Sequence, residues 1–365
     1  MSSLRVGIVG LPNAGKTTLF NALSRGGALV ASYPFTTVEP NVGVVSVPDS
    51  RLDRIADLAG CQRRVPATVR FVDIAGLVEG ASKGEGLGNR FLANIREVDA
   101  VAHVVRAFEA GNVSHVEGSV DPVRDAELIE TELRLADLEV LGRLLSKARQ
   151  LAKSGDRECL ARIDCLERAE EQVGGSGCLT NRELLARDLL QSVPDAGLLS
   201  LKPTLIALNV GESRQEAERL KREIKEWAAP RDIPVVTVNA EIEAELAELD
   251  PEEAAEFEKE MGIEEESLTR IAGASYQLLC LMTFFSIDSG ECRAWPIPEG
   301  STAGYAAGRI HTDFEKGFVK VEVVHEADFL ACGCFSAARD AGALRMEGRE
   351  YIVQDGDVMH FKFAT

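Results

Sequence analysis

Two rhythms of apolar positions run along this chain, and the change from one to the other divides it. From Leu4 to about residue 125, short apolar runs rich in β-branched residues alternate with stretches of helical spacing. Leu4–Val9 reads as a buried strand and Thr18–Leu23 as the opening of a helix. Val69 to Gly76 reads as a strand running into a turn, and Ala100–Val105 as a further strand. Strand and helix signals in alternation predict an α/β domain with a mostly parallel sheet.

From Asp125 the rhythm becomes purely helical. Ile129, Leu133, Ala136, Val140, Leu144, Ala148 and Leu151 fall three or four apart, which predicts an amphipathic helix with a coiled-coil-like stripe. Gly155-Asp156 breaks it. Leu160, Ile163, Leu166 and Ala169 mark a second helix, closed by Gly174-Gly175-Ser176-Gly177. The pair reads as an antiparallel helical hairpin inserted at about 125–199. Its exposed positions carry Arg143, Lys147, Arg149, Lys153, Arg157 and Arg162, which read either as ordinary solvated charge or as an arm that touches RNA or another partner. Strand–helix alternation resumes near residue 200 with Leu205–Leu208, a helix around Arg214–Trp227 and Val235–Val238. The last segment differs in kind. Met282–Ile287, Cys292–Pro296, Val319–Val324, Tyr351–Val353 and Val358–Phe363 are short β-rich runs, with one helix near Ala327–Ala338 and a hairpin signal at Asp355-Gly356-Asp357. The expected division is a domain over 1–278 that carries the insertion and a compact β-grasp module over 279–365.

Residues 10–17 read Gly-Leu-Pro-Asn-Ala-Gly-Lys-Thr, the phosphate-loop pattern G-x-x-x-x-G-K-[ST]. It lies between the first strand and the first helix, where such a loop belongs. Gly10 and Gly15 let the backbone turn its N–H groups onto phosphates, and the helix N-terminus adds donors and partial positive charge. Asn13, Ala14, Gly15, Lys16, Thr17 and Thr18 are therefore candidate nucleotide-binding residues. Lys16 is expected to reach the β- and γ-phosphates, and Thr17 to offer its hydroxyl to Mg²⁺.

Ala31 to Asn41 holds two prolines and adjacent threonines, at a spacing from Lys16 that suits a switch loop. Thr37, in preference to Thr36, is the candidate Mg²⁺ ligand there. Asp73 ends a strand and opens Asp-x-x-Gly, so it is expected to hold Mg²⁺ through water while the Gly76 N–H senses the γ-phosphate. The next residue is Leu77, where many GTPases place a glutamine to orient the attacking water. Leucine cannot do that, so intrinsic hydrolysis is expected to be slow unless another group positions the water. His115, in a turn-rich stretch after the Ala100–Val105 strand, is a candidate for that group. The other reading is a surface-loop histidine.

Pro203 to Asn209 is an apolar strand that ends at Asn209-Val210-Gly211-Glu212, where GTPases carry Asn-Lys-x-Asp. Val210 replaces the lysine whose stem covers the ring. Glu212 replaces the aspartate that reads the guanine N1–H and 2-amino group. Those changes remove guanine selectivity, since an acid at that edge gains nothing from adenine. Asn209 remains able to reach the purine N7 or 6-amino edge. Phe108 is placed either to stack on the base or to fill the core. Asn239-Ala240-Glu241, after the Val235–Val238 strand, is either a second base-contacting loop or a strand-end turn.

Together these motifs resemble the Obg-like ATPase (YchF) family. The string from Asp73 to Asn89 is similar to that family's second switch, Tyr33–Asn41 to its first, and Asn209–Glu212 to its Asn-x-x-Glu base loop. Residues 279–365 resemble the TGS domain these proteins carry, so the resemblance covers essentially the whole chain. It implies a P-loop NTPase of the Obg type with a C-terminal β-grasp (TGS) domain, magnesium-dependent ATP hydrolysis, discrimination against GTP and association with ribosomes. It also implies Thr37 as a magnesium ligand, Leu77 as the hydrophobic substitute for glutamine, and His115 as a catalytic helper. Thr36 stands where relatives often have cysteine, and Gly211 where an acidic residue is common. Two other classes fit the residues: an Obg-type translational GTPase, and a nucleotide-gated scaffold without turnover.

Composition narrows the setting. No apolar run of the 365 residues approaches the length of a transmembrane helix, and no signal peptide opens the chain. Eight scattered cysteines without a C-x-x-C pair suit reduced thiols and no zinc site. A cytoplasmic, monomeric protein is expected, with ATP and the ribosome as partners and no membrane or sequence-specific DNA. Net charge is −19, concentrated in an acidic block around Glu241–Glu266, while residues 1–125 are balanced. That charge argues against a broad nucleic-acid coat. Ribosome association would need a local basic surface or contacts to ribosomal proteins.

Overall fold

The computed structural model describes residues 4–28, 41–74, 86–109, 118–152, 157–175, 187–189, 191–193, 196–211, 213–261 and 267–364. The first domain is built from β1 (Arg5–Val9), α1 (Lys16–Ala28), β2 (Val42–Val47), α2 (Ser50–Ala59), β3 (Arg63–Val65), β4 (Ala67–Asp73), α3 (Gly86–Arg96) and β5 (Ala100–Ala107). After the helical insertion, α4 (Pro122–Leu151) and α5 (Arg157–Gly174), it continues with β6 (Thr204–Val210), α6 (Arg214–Ala228), β7 (Val235–Val238), α7 (Ala240–Leu246), α8 (Pro251–Met261) and α9 (Ser267–Leu278). Among the described residues its sheet has the order β2-β4-β1-β5-β6-β7, parallel except for β2, which runs antiparallel to β4.

The central strands are buried on both faces, which is why they read as continuous apolar runs. Along β5, Ala102 and Val104 pack on one side with Leu19 and Leu23 of α1 and Ile271 of α9. Val101 packs on the other side with Phe91 and Ile95 of α3 and Ile129 of α4, and Val105 with Leu220 and Ile224 of α6. The strands thus hold their carboxyl ends along one crevice, where ligands bind in such sheets.

The helical hairpin forms as its pattern predicts, with one shift of stripe. Asp121 caps α4, accepting from the Arg124 N–H at 3.0 Å. Beyond Ala136, the fully buried apolar positions are Leu141, Leu145 and Ala148, while Val140 and Leu144 are half-buried and Leu151 is exposed. They close against Cys165, Leu166, Ala169 and Val173 of α5. Asp137, fully buried on α4, accepts from the Leu199 and Ser200 N–H groups at 2.8 and 2.7 Å. That ties the return of the chain to the base of the arm.

The C-terminal module contains β8 (Leu281–Asp288), β9 (Glu291–Pro298), α10 (Ala303–Ile310), α11 (Thr312–Lys316), β10 (Phe318–His325), α12 (Glu326–Cys332), α13 (Phe335–Asp340), β11 (Arg345–Glu347) and β12 (Asp357–Phe363). Its sheet order is β11-β10-β12-β8-β9-β3. Several details differ from the sequence expectation. The single helix near Ala327–Ala338 is two, split at Gly333 in the left-handed region. Tyr351–Val353 is no strand but one bridge, Ile352 to Thr302, and α10 and α11 stand where no helix was expected. Asp355-Gly356-Asp357 does not join paired strands: β12 pairs antiparallel with β10 and parallel with β8.

The module is also not closed by its own residues alone. β3, from the first domain, pairs in parallel with β9 as its edge strand. Arg51 of α2 spans the same seam, meeting Asp49 at 2.8 Å and Asp355 at 2.6 Å and lying 5.4 Å over the Phe285 ring. Asp355 in turn accepts the Thr283 N–H at 2.8 Å. Burial alone would raise the Asp355 pKa, but Arg51 and the Thr283 N–H outweigh it and hold the carboxyl below its usual value. The apolar core continues through the seam, from Leu52 and Ile55 of α2 to Phe285, Cys292, Val324 and Phe329.

Candidate functional site

The phosphate loop wraps the carboxyl end of β1, and two backbone positions explain its glycines. Gly10 has φ 155° and its Cα faces the Val104 carbonyl, so an added Cβ would strike that oxygen. Gly15 has φ 91° and abuts the Asn209 amide, so a Cβ there would strike Nδ2. Asn13 also adopts positive φ, at 62°, a conformation asparagine tolerates. α1 starts at Lys16, placing Thr17 and Thr18 in its first turn with both residues exposed.

Lys16 is only 9% exposed and donates to the Leu11 carbonyl at 2.7 Å. Burial pushes its pKa below the ordinary lysine value, with Asp73 pulling the other way. Asp73, at the end of β4, is the mirror case: burial raises its carboxyl and Lys16 lowers it. The pair is close enough to interact across the crevice floor. Lys16 is charge held in a nearly dry place, with a loop carbonyl in its grip.

A third buried group belongs to this floor and was not singled out from sequence. His103 of β5 sits opposite Val9 and is 5% exposed, with Nε2 buried and unpartnered. Burial, reinforced by the Lys16 charge, lowers its pKa to about 3. It is a neutral imidazole at any ordinary pH. The only sequence signal was a polar residue inside the run Ala100–Ala107.

Asn209 is the penultimate residue of β6, and its amide is bonded to the backbone. Nδ2 donates to the Ala14 carbonyl at 3.0 Å, and Oδ1 accepts the Ala240 N–H at 3.0 Å. One side chain therefore clamps the phosphate loop to the start of α7, and one Nδ2 hydrogen is left for the purine edge expected from sequence. Asn239 does for α7 what a helix cap does, accepting from the Glu241 and Ile242 N–H groups at 3.2 Å each. Val210 is half-buried at the strand end. Phe108 is half-buried beside it. The Arg106 guanidinium lies 4.6 Å over its ring while Nε donates to the Phe108 carbonyl at 3.0 Å, and an added Cβ on Gly211 would sit 3.0 Å from the Phe108 Cβ. The structure thus brings Asn13, Ala14, Gly15, Lys16, Thr17, Thr18, Asp73, Phe108, Asn209 and Val210 to one crevice. Thr37, Gly76, Leu77, His115 and Glu212 lie outside the described residues.

A hydroxyl (Thr17) and a carboxylate (Asp73) flank the cradle. That is a hard-oxygen pair of the kind magnesium takes with phosphate and water. Among the described residues no cluster of three histidine, cysteine or acidic side chains could hold an ion by itself.

Residues 5–135 match the family model described as a 50S ribosome-binding GTPase, and residues 281–364 match the model of the YchF GTPase C-terminal region. The chain is 48% identical over 359 residues to the ribosome-binding ATPase YchF of Escherichia coli O157:H7, spanning 98% of this chain and 99% of that one. The chain belongs to the YchF family. A Bacillus subtilis YchF, also described as a ribosome-binding ATPase, is 45% identical over 364 residues, covering 99% of both chains. The solved Schizosaccharomyces pombe YchF GTPase superposes with a TM-score of 0.84 at 34% identity, over 99% of this chain and 98% of that one. A GTP-binding protein of Pyrococcus horikoshii shares the fold at 20% identity and a TM-score of 0.61. The YchF fold is thus that of a P-loop NTPase with an appended C-terminal module.

Proposed function

We propose that this chain is a magnesium-dependent ATPase that works as a switch on ribosomes, with ATP preferred over GTP. The observation that carries it is the phosphate cradle, sealed by Asn209 and followed by Val210 rather than lysine, in a chain that matches ribosome-binding ATPases from end to end. The Gly15 to Thr18 backbone would bind the phosphates at the mouth of α1. Lys16 would exchange its Leu11 carbonyl for the β- and γ-phosphate oxygens, which keeps its charge where charge develops on transfer. Thr17 and Asp73, with Thr37, are the residues that would hold magnesium. Bound magnesium would neutralise phosphate charge. Phe108, with Arg106 over its ring, would flank the base. Leu77 in place of glutamine makes intrinsic turnover slow, and His115 is the group proposed to position the water. The Gly76 N–H would report the γ-phosphate to the second switch. The protein is proposed to be monomeric and cytoplasmic; no helix of the described residues is long and apolar enough to cross a membrane.

The S. pombe relative is described as a GTPase, which favours a second reading, an Obg-type GTPase. Equilibrium binding of ATP and GTP analogues with Mg²⁺ separates the two. A preference for ATP of tenfold or more, about 1.4 kcal/mol, supports the ATPase. A preference for GTP replaces it with the second reading.

A further inference from the structure

A cation is rare inside a parallel sheet, because taking it out of water is costly unless other groups bond it. β5 nevertheless carries Arg106 near its carboxyl end, only 3% exposed. In the ladder Arg106 stands beside Asn209 of β6, the residue that bonds the phosphate loop. Side chains alternate between the two faces of a strand, so Arg106 shares a face with Ala102 and Val104. Those two pack with Leu19 and Leu23 of α1. Arg106 therefore belongs to the face of the sheet that α1 covers, at the end where the phosphate loop lies.

Its guanidinium engages Phe108 twice. Nε donates to the Phe108 carbonyl at 3.0 Å, and the same planar group lies 4.6 Å over the Phe108 ring. A planar fork can do both at once, and a point-like ammonium cannot. From the neighbouring strand end, an added Cβ on Gly211 would lie 3.0 Å from the Phe108 Cβ, so the base loop closes on the stem of the ring. Phe108 is thus held by its carbonyl, by one ring face and at its Cβ, while it stays half-buried. A ring fixed in this way has little freedom left to lose when a flat ligand stacks on it, so more of the stacking energy appears as affinity.

We propose that Arg106 is a positioning residue for the base: it presets the Phe108 ring as a platform on which the purine stacks, and it acts on nucleotide affinity through that ring alone. The proposal rests on the reading above that Phe108 flanks the base, and it adds the group that holds Phe108 there. Its ladder neighbour Asn209 ties down the phosphate loop. Two adjacent positions of one sheet thus divide the site, Asn209 ordering the phosphate end and Arg106 the base end.

The test is calorimetric binding of a non-hydrolysable ATP analogue and of tripolyphosphate, each with Mg²⁺, to the full chain. Arg106→Met keeps an unbranched stem and removes the fork. It should weaken the ATP analogue about tenfold and change tripolyphosphate by less than about twofold. Retained tripolyphosphate binding shows that the phosphate cradle is folded. Phe108→Ala should show the same split. The Arg106→Met/Phe108→Ala double variant should bind the analogue no more weakly than Phe108→Ala alone, because the arginine acts through the ring. Arg106→Lys restores the charge without the fork and should recover little of the loss. Losses that multiply in the double variant would overturn the proposal. So would full recovery with lysine, or an equal fall in tripolyphosphate affinity, either of which makes Arg106 a plain charge for the phosphates. If Phe108→Ala weakens the analogue and Arg106→Met does not, the platform stands without its arginine and only this inference falls. If Phe108→Ala leaves the analogue unchanged, Phe108 is no base contact and that part of the functional reading falls with it.

Discussion

Two clusters of charge, one at the phosphate loop and one at the seam between the sheets, are built on opposite terms. At the seam, Arg51 has two carboxylates, and Asp355 has both that arginine and a backbone N–H. Each charge is stabilised in its ionised form, and the cluster is finished. At the phosphate loop, Lys16 is displaced downward by burial, Asp73 upward, and His103 is kept neutral with an unpartnered nitrogen. That cluster is unfinished. Finished clusters hold structure together, and unfinished ones mark where a ligand supplies the missing partners.

The sharpest way to break this comparison is Lys16→Ala. Hydrolysis should fall by at least about 100-fold, the scale for losing one donor to developing charge. The protein should unfold no more easily than before, because the removed ammonium was poorly solvated in the ligand-free fold. Retained turnover would mean that chemistry occurs elsewhere. Asn209→Ala comes next. It removes two bonds to buried backbone and should lower stability by about 3 kcal/mol in urea unfolding. A loss under about 0.5 kcal/mol would show that the clamp between Ala14 and Ala240 is dispensable.

His103 sharpens the comparison through pH. Above its unfolded value of 6.5 the imidazole is neutral in both states and contributes nothing. As pH falls from 6.5 toward the folded value of about 3, the unfolded chain takes up the proton and the folded chain resists it. Between pH 7 and pH 5 wild type should therefore lose about 2 kcal/mol more stability than His103→Leu. Equal slopes for the two proteins would place the histidine in contact with water. The smallest effect belongs to the seam. Arg51→Met should cost about 1 kcal/mol, since Asp355 is half exposed and solvent screens the pair, and nucleotide affinity should not move. A change in affinity would show that the seam and the crevice are coupled.

The cradle was legible in sequence because strand, glycine-bearing loop and helix are local and each leaves its own mark. The helical arm was legible for the same reason, though its stripe drifts. A straight helix does not keep a strict repeat, so Leu141 and Leu145 are buried where Val140 and Leu144 were expected. What escaped is non-local. His103 is one polar residue in an apolar run, and nothing nearby says that Lys16 lies next to it. Asn209 reads in sequence as a purine contact, and only the fold brings Ala14 and Ala240 within its reach. Arg63–Val65 has no periodicity to read, and its partner is far off in the chain.

That borrowed strand has a consequence for how the protein is made. β3 emerges from synthesis early, but the strand it pairs with, β9, is translated more than two hundred residues later. At about 5–20 residues per second, the edge waits on the order of ten to forty seconds for its neighbour. The first domain can form its own parallel sheet in that interval, because its strands end with Val238. The second sheet cannot close until its last strands are released, and it closes onto a template already folded. A copy of residues 279–365 made alone would lack that template. It would present β9 as an open edge and Phe285 and Cys292 without cover, and such a surface pairs with other copies of itself.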